Sequence, residues 1–276
     1  MSECDHNCAS CNKECDVPHT EKPHELSRIK RVIAVMSGKG GVGKSAVTAL
    51  LASAMNGKGY KCAVLDADIT GASAPKMFGV SGSVVGDENG IYPAESKGGI
   101  KIMSSNLLLE NETDPVVWRG PIIAGMVKQF WTDVIWGDID YMFIDCPPGT
   151  GDVPLTVFQS IKIDGIIIIA TPQELVSMIV EKAVNMANMM KIPVLGIIEN
   201  MSYVVCPDCK KRIDIFGAGK TAAVAEKFRL PMLGTVPFDA VISKAADAGD
   251  MDNARVDYLT VASDIIECGL PVVGHK

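Results

Sequence analysis

Basic residues are in deficit in this chain: 26 Lys and Arg stand against 33 Asp and Glu, a net charge of -7. A nucleic-acid-binding face needs clustered Lys and Arg, so the balance argues against one. Long apolar runs are missing too. The most apolar stretch, GIIIIA at Gly165 to Ala170, is far too short to span a bilayer and suits a central strand. The opening segment MSECDHNCASCNKEC lacks the apolar core of a secretion signal. No repeat or low-complexity tract stands out. The ending DYLTVASDIIECGLPVVGHK is short of the basic residues that a membrane-surface helix carries. A cytoplasmic, reducing location is therefore expected, with no nucleic-acid and no membrane partner.

What the chain does contain is enough apolar material, 47% of 276 residues, for one large α/β core and a short appendage. Residues 1–25 are polar, rich in Cys, Asp, Glu and His, and interrupted by Pro18 and Pro23; they read as a metal-binding tail. Residues 26–276 form the expected folded domain. In it the runs RVIAVM, KCAVLD, YMFID, GIIIIA and VLGIIE read as strands, with TVP after Leu233 closing another, and helical patterns lie between them. This alternation predicts a doubly wound, mainly parallel sheet. Turn residues around two short strand candidates between Val84 and Ser104 predict a β-hairpin insertion.

One stretch carries a complete phosphate-binding pattern. In MSGKGGVGKS, Gly38, Gly43, Lys44 and Ser45 satisfy G-x-x-x-x-G-K-[ST], preceded by a strand and followed by a helix. Glycines let successive backbone NH groups and the helix N-terminus converge on phosphate oxygens. The segment Gly38, Lys39, Gly40, Gly41, Val42, Gly43, Lys44, Ser45 and Ala46 is thus expected to line the nucleotide triphosphate. Lys44 reaches the β- and γ-phosphates, and Ser45 is a Mg²⁺ ligand. Lys39 is a second loop lysine that the pattern does not require.

Ligands of open α/β sheets bind at the C-terminal ends of the strands, where three aspartates fall. Asp145, in YMFIDCPPGTGD, reads as the carboxylate that holds Mg²⁺ through water, with Gly149 in the following γ-phosphate-sensing turn. Asp66 and Asp68, in VLDADITGASAPKMFG, are candidates to orient the attacking water, and Asp68, farther from the strand, is the better one. Taken singly, each would more often be a helix cap or turn former.

In a reducing compartment, spaced cysteines bind metal more often than they form disulfides. Of nine, Cys62 and Cys268 are lone packing thiols, and adjacency alone gives Cys146 no role. Cys206 and Cys209 form a C-x-x-C pair, enough for two corners of a metal site. Cys4, Cys8, Cys11 and Cys15 supply four soft ligands, enough for one complete iron-sulfur or zinc site, with the cluster favoured. His6, His19 and His24 are alternative tail ligands, although a solvated histidine is the simpler reading of each.

Taken in order, KGGVGKS, DADITGASAPKMFG, WRGP at Trp118 to Pro121, IDCPPGTGD and ENMSYVVCPDC closely resemble the Mrp/ApbC/Nbp-type ATPases, which carry iron-sulfur clusters. The resemblance covers nearly the whole chain after the tail and departs from the family pattern at Thr70 and Ala72. The parent group is the deviant P-loop ATPases that include MinD, ParA and the nitrogenase iron protein. It implies that Lys39 reaches across a dimer interface to the partner's phosphates. It also implies that Asn200 contacts the adenine edge and that the segment from Pro237 to Asp239 lines the base pocket. Cys206 and Cys209 resemble the family's cluster-binding pair, so a homodimer would bridge one [4Fe-4S] cluster with two thiolates from each protomer. The function implied is an ATP-hydrolysing carrier that passes clusters to apo iron-sulfur proteins. A MinD- or ParA-like positioning ATPase and a zinc-stabilised nucleotide-binding scaffold are the alternatives.

Overall fold

The computed structural model describes residues 20–69, 71–108, 120–173, 176–217, 219–254 and 257–269. Strands β1 (Arg28–Ser37) and β2 (Cys62–Asp66) flank helix α1 (Lys44–Gly57), and the short α2 (Ala74–Met77) follows. Four small strands come next: β3 (Gly86–Asp87), β4 (Gly90–Ile91), β5 (Ala94–Glu95) and β6 (Lys101–Met103). Then α3 (Gly120–Thr132), β7 (Asp138–Asp145), α4 (Asp152–Ser160), β8 (Gly165–Ala170), α5 (Val176–Met189) and β9 (Val194–Asn200) alternate. The hairpin β10 (Val204–Val205) and β11 (Arg212–Ile213) precedes α6 (Thr221–Lys227), β12 (Met232–Val236), α7 (Ala240–Ala248) and α8 (Thr260–Cys268).

Eight strands make one sheet in the order β12-β9-β8-β1-β7-β2-β6-β5, parallel throughout except for β5 against β6. The doubly wound parallel sheet expected from the alternating pattern is thus present. The sheet has a separate apolar core on each face, and β1 shows why. Val32, Ala34 and Met36 pack on one side while Ile33 and Val35 pack on the other, so a strand buried on both faces must be apolar at every position. GIIIIA in β8 is buried along its whole length for the same reason.

The segment between Val84 and Ser104 differs from the expected insertion. It holds two hairpins, and only β3 with β4 stands apart from the main sheet. Strand β6 instead pairs in parallel with β2, Ala63 opposite Lys101 and Leu65 opposite Met103, and β5 completes the sheet edge. A three-residue strand is too short to display a period, so its sheet membership is decided by pairing alone. The boundary at residue 25 also shifts. Glu21 N donates to Ser160 O at 2.7 Å, Trp131 Nε1 donates to Glu21 O at 2.9 Å, and Lys128 pairs with Glu21 at 2.6 Å, so the folded unit starts before residue 25.

Trp136 anchors the connection into β7. It is fully buried, and its Nε1 donates to Phe130 O at 3.0 Å. Trp136→Ala should cost about 3–5 kcal/mol, the range for emptying a buried aromatic site. Chemical denaturation of both proteins checks this.

Candidate functional site

The loop of residues 38–43 joins β1 to α1 at the C-terminal edge of the sheet, on the strand flanked by β8 and β7. Gly41 and Gly43 adopt φ of 77° and 74°, the left-handed turn that curls the loop around an anion. Val42 is buried in the core beneath and pins the loop. α1 begins at Lys44 with no side-chain cap on its first turn, so its free NH groups face the cleft. That cleft is about 280 Å³, with Asp68, Ser73, Met77 and Pro148 facing the loop. A larger cleft of about 600 Å³ lies at the far end of α1 beside Asn56, Lys97 and Asp252, away from the phosphate-binding groups.

Lys44 is 6% exposed and its ammonium donates to Asp145 Oδ1, with Asp68 Oδ2 at 3.6 Å. Burial opposes the ammonium charge, but the attraction and hydrogen bond of Asp145, with Asp68 behind them, outweigh it and hold its pKa above the ordinary lysine value. Thr48 Oγ1 donates to Lys44 O at 3.0 Å and lies 3.3 Å from Asp145 Oδ1. Asp145 Oδ2 is buried with no hydrogen-bond partner. A buried carboxylate oxygen left over beside the Lys44 ion pair is what a metal-bound water would satisfy. Cys146, next in line, is fully buried, and that burial pushes its thiol to about 12.

The two remaining aspartates are separated by their surroundings. Asp66 stands opposite Asp145 in the β2–β7 register and is fully buried. Its carboxylate accepts from the amides of Asp68 at 3.2 Å, Ser73 at 3.0 Å and Ala74 at 3.2 Å, and from Ser104 Oγ at 3.3 Å. Burial and then the Asp145 charge raise its pKa to about 7, against the lowering by the backbone amides. With both oxygens engaged, Asp66 shapes the 66–74 turn rather than facing the cleft. Asp68 does face it, 15% exposed, and burial lifts its carboxyl above the usual range despite Lys44. Gly149, at φ 90°, donates its NH to Ser37 O at 2.8 Å and ties the segment after β7 to the end of β1, beside Pro148, which lines the cleft.

On the other side of the loop, the Asn200 amide donates to Val42 O at 2.8 Å and fills the space where a Gly43 Cβ would project. That hydrogen bond ties the end of β9 to the phosphate loop. Gly43→Ala should therefore weaken nucleotide binding at least tenfold, because the left-handed backbone costs about 1–2 kcal/mol and Asn200 must move as well. Titration with a fluorescent nucleotide measures the loss. Pro237 is buried just past β12. Asp239 caps α7, accepting from Val241 N at 2.8 Å and from the Tyr258 hydroxyl at 2.9 Å, so it has a structural task whatever it does for a base.

The cysteine pair lies past β9 in the connection between β10 and β11, a separate two-stranded hairpin. Val204–Val205 pairs with Arg212–Ile213, and Cys206 N donates to Lys211 O while Lys210 N donates to Cys206 O, both at 3.0 Å. The Cys206 thiol is half-buried and turned toward the amides of Cys209 and Asp208, which with the Cys209 side chain lower its pKa. Cys209 is exposed. Among the described residues no third His, Cys, Asp or Glu joins the pair, so these residues supply two of the four ligands that a tetrahedral site would take. Cys4, Cys8, Cys11, Cys15, His6 and His19 lie outside the described residues. His24 is taken by the fold, with Nε2 2.8 Å from Asn89 O and Nδ1 accepting from Leu26 N.

Sequence reasoning missed three contributors. Ser37 Oγ donates to Lys39 O at 3.0 Å, Thr48 sits one helical turn beyond Lys44, and Gln173 accepts a hydrogen bond from Lys39. Thr48 was readable from its i+4 spacing to Lys44; Gln173, 134 residues from Lys39, carried no local signal.

Comparison with known proteins places the chain in a family. A protein of Methanocaldococcus jannaschii named iron-sulfur cluster carrier protein is 46% identical over 260 residues, covering 90% of each chain. The cytosolic Fe-S cluster assembly factor CFD1 of Kluyveromyces lactis is 43% identical, covering 79% of this chain and 80% of that one. A nucleotide-binding protein from Archaeoglobus fulgidus, solved in complex with ADP, superposes with a TM-score of 0.76 at 45% identity, over 83% of this chain and 90% of its own. The septum site-determining protein MinD of Pyrococcus horikoshii, solved with Mg-ADP, gives 0.59 at 20% identity over 87% and 97%, a likeness of fold alone. The family profile described as ParA: NUBPL iron-transfer P-loop NTPase matches residues 28–267. With that profile spanning nearly the whole folded domain, the chain belongs to the NUBPL iron-transfer P-loop NTPase family.

Proposed function

We propose that the chain is an ATP-hydrolysing carrier that holds a [4Fe-4S] cluster between two protomers and passes it to apo iron-sulfur proteins in the cytoplasm. The observation that carries this reading is the placement of the Cys206 and Cys209 thiols, the first half-buried and the second exposed, beginning six residues beyond Asn200, the residue hydrogen-bonded to the phosphate loop. The names of its relatives support the cargo, and the ADP-bound relative supports the nucleotide.

In the mechanism, the loop NH groups and the first turn of α1 take the phosphates, and Lys44 leaves Asp145 for the β- and γ-phosphates. That exchange frees Asp145, whose orphaned Oδ2 and the Ser45 hydroxyl fit Mg²⁺, an ion that would neutralise phosphate charge there. Asp68 orients the attacking water from the cleft wall, and Asp66 acts through the turn that positions Asp68. Lys39 adds a cation in trans, so hydrolysis waits for the dimer to close. Asn200 and Pro237 border the base.

At the cluster site the Asp208 and Cys209 amides favour the Cys206 thiolate, and exposure of Cys209 leaves the cargo open to an acceptor. Cys4, Cys8, Cys11 and Cys15 hold a separate metal within each chain. Anaerobic metal analysis of purified protein tests the reading: about four iron and four sulfide per dimer at the shared site support it, and zinc there would establish the scaffold alternative.

A further inference from the structure

Lys39 is held firmly at its backbone and lightly at its tip. Ser37 Oγ donates to the Lys39 carbonyl at 3.0 Å, and Gly149 N donates to the Ser37 carbonyl at 2.8 Å. Gly38 lies against α5 so closely that a Cβ there would overlap the Ile179 side chain. The start of the loop therefore cannot drift. The side chain itself is only half-buried, and its ammonium donates to Gln173 Oε1, an exposed residue just beyond the C-terminal end of β8, the strand paired with β1. Among the described residues no carboxylate pairs with Lys39.

We propose that Gln173 is a positioning residue: it holds the Lys39 ammonium in cis until the nucleotide of a second protomer competes for it. This rests on the trans role proposed above for Lys39. The chemistry of the acceptor suits such a task. A neutral amide oxygen at an exposed site holds an ammonium by a factor of about ten or less. Phosphates bearing several negative charges in a closing, drying interface attract it far more strongly. A carboxylate at this position would compete with them, whereas an apolar residue would leave the lysine unplaced in the open state.

Substitution at 173 should consequently move activity in opposite directions. Gln173→Ala, with nothing to release, should speed ATP-dependent dimerisation and steady-state hydrolysis about three- to tenfold, and Gln173→Glu should slow both by a similar factor. The Gln173→Glu effect should shrink as salt rises. Both substitutions should lose their effect in a Lys39→Ala background, which a merely structural role for Gln173 would not produce. The experiment measures ATP turnover and nucleotide-dependent dimerisation in the full-length protein for the parent, both 173 variants, Lys39→Ala and the two double variants. Opposite shifts that vanish without Lys39 support the proposal. Equal or same-direction shifts, or shifts that survive in the Lys39→Ala background, overturn it while leaving the trans lysine intact. Parental turnover in Lys39→Ala alone overturns the trans reading itself.

Discussion

Replacing Cys206 by alanine is expected to empty the shared site, lowering iron by about four atoms per dimer after anaerobic reconstitution. The size of the effect follows from symmetry, since one substitution removes two of the four thiolates that close the site. Cys206 is also the thiol that the backbone prepares, with the amides of Asp208 and Cys209 directed at it. Cys11→Ala, by contrast, deletes one ligand of an intramolecular set and should reduce only the iron of the tail. Iron and sulfide analysis with cluster absorbance for the two variants separates the sites. Full iron in the Cys206→Ala protein would mean that the hairpin pair does not bridge anything.

Lys39→Ala is expected to bind ATP as the parent does and to hydrolyse it about a thousandfold more slowly. Binding should survive because the phosphate cradle is made by the loop amides, Gly41, Gly43 and Lys44, none of which needs the Lys39 side chain. Hydrolysis should fail because a cation delivered to the transferring phosphoryl group acts on charge that develops only in the transition state. Single-turnover kinetics with a parallel binding titration distinguish this from a binding defect. Dimer closure in the presence of a slowly hydrolysed ATP analogue should be weakened as well.

The parts of this molecule that could be read from the sequence are those governed by local rules. The phosphate loop was legible because its glycines, its lysine and its flanking strand and helix are contiguous. The strands β1, β2, β7, β8 and β9 were legible because burial on both faces demands unbroken apolar runs. What escaped depends on contacts between distant segments. Lys101–Met103 reads as part of a hairpin until β2 is placed beside it. Asp66 and Asp68 look equivalent in the DAD triplet, and only the amides of Ser73 and Ala74 and the hydroxyl of Ser104 assign the first to the turn and leave the second in the cleft. Asn200 is legible as a polar residue ending an apolar strand, but its hydrogen bond to Val42 links segments 158 residues apart. Gln173 belongs to the same class.

Cluster transfer tests the central claim most directly. The reconstituted protein would be mixed anaerobically with an apo [4Fe-4S] acceptor enzyme and an iron chelator, with and without ATP, and acceptor activity followed over time. The account predicts that the acceptor is activated despite the chelator, that ATP changes the rate, and that Cys206→Ala protein activates nothing. Activation no better than from free iron and sulfide, or equal activation by the Cys206→Ala protein, would contradict it.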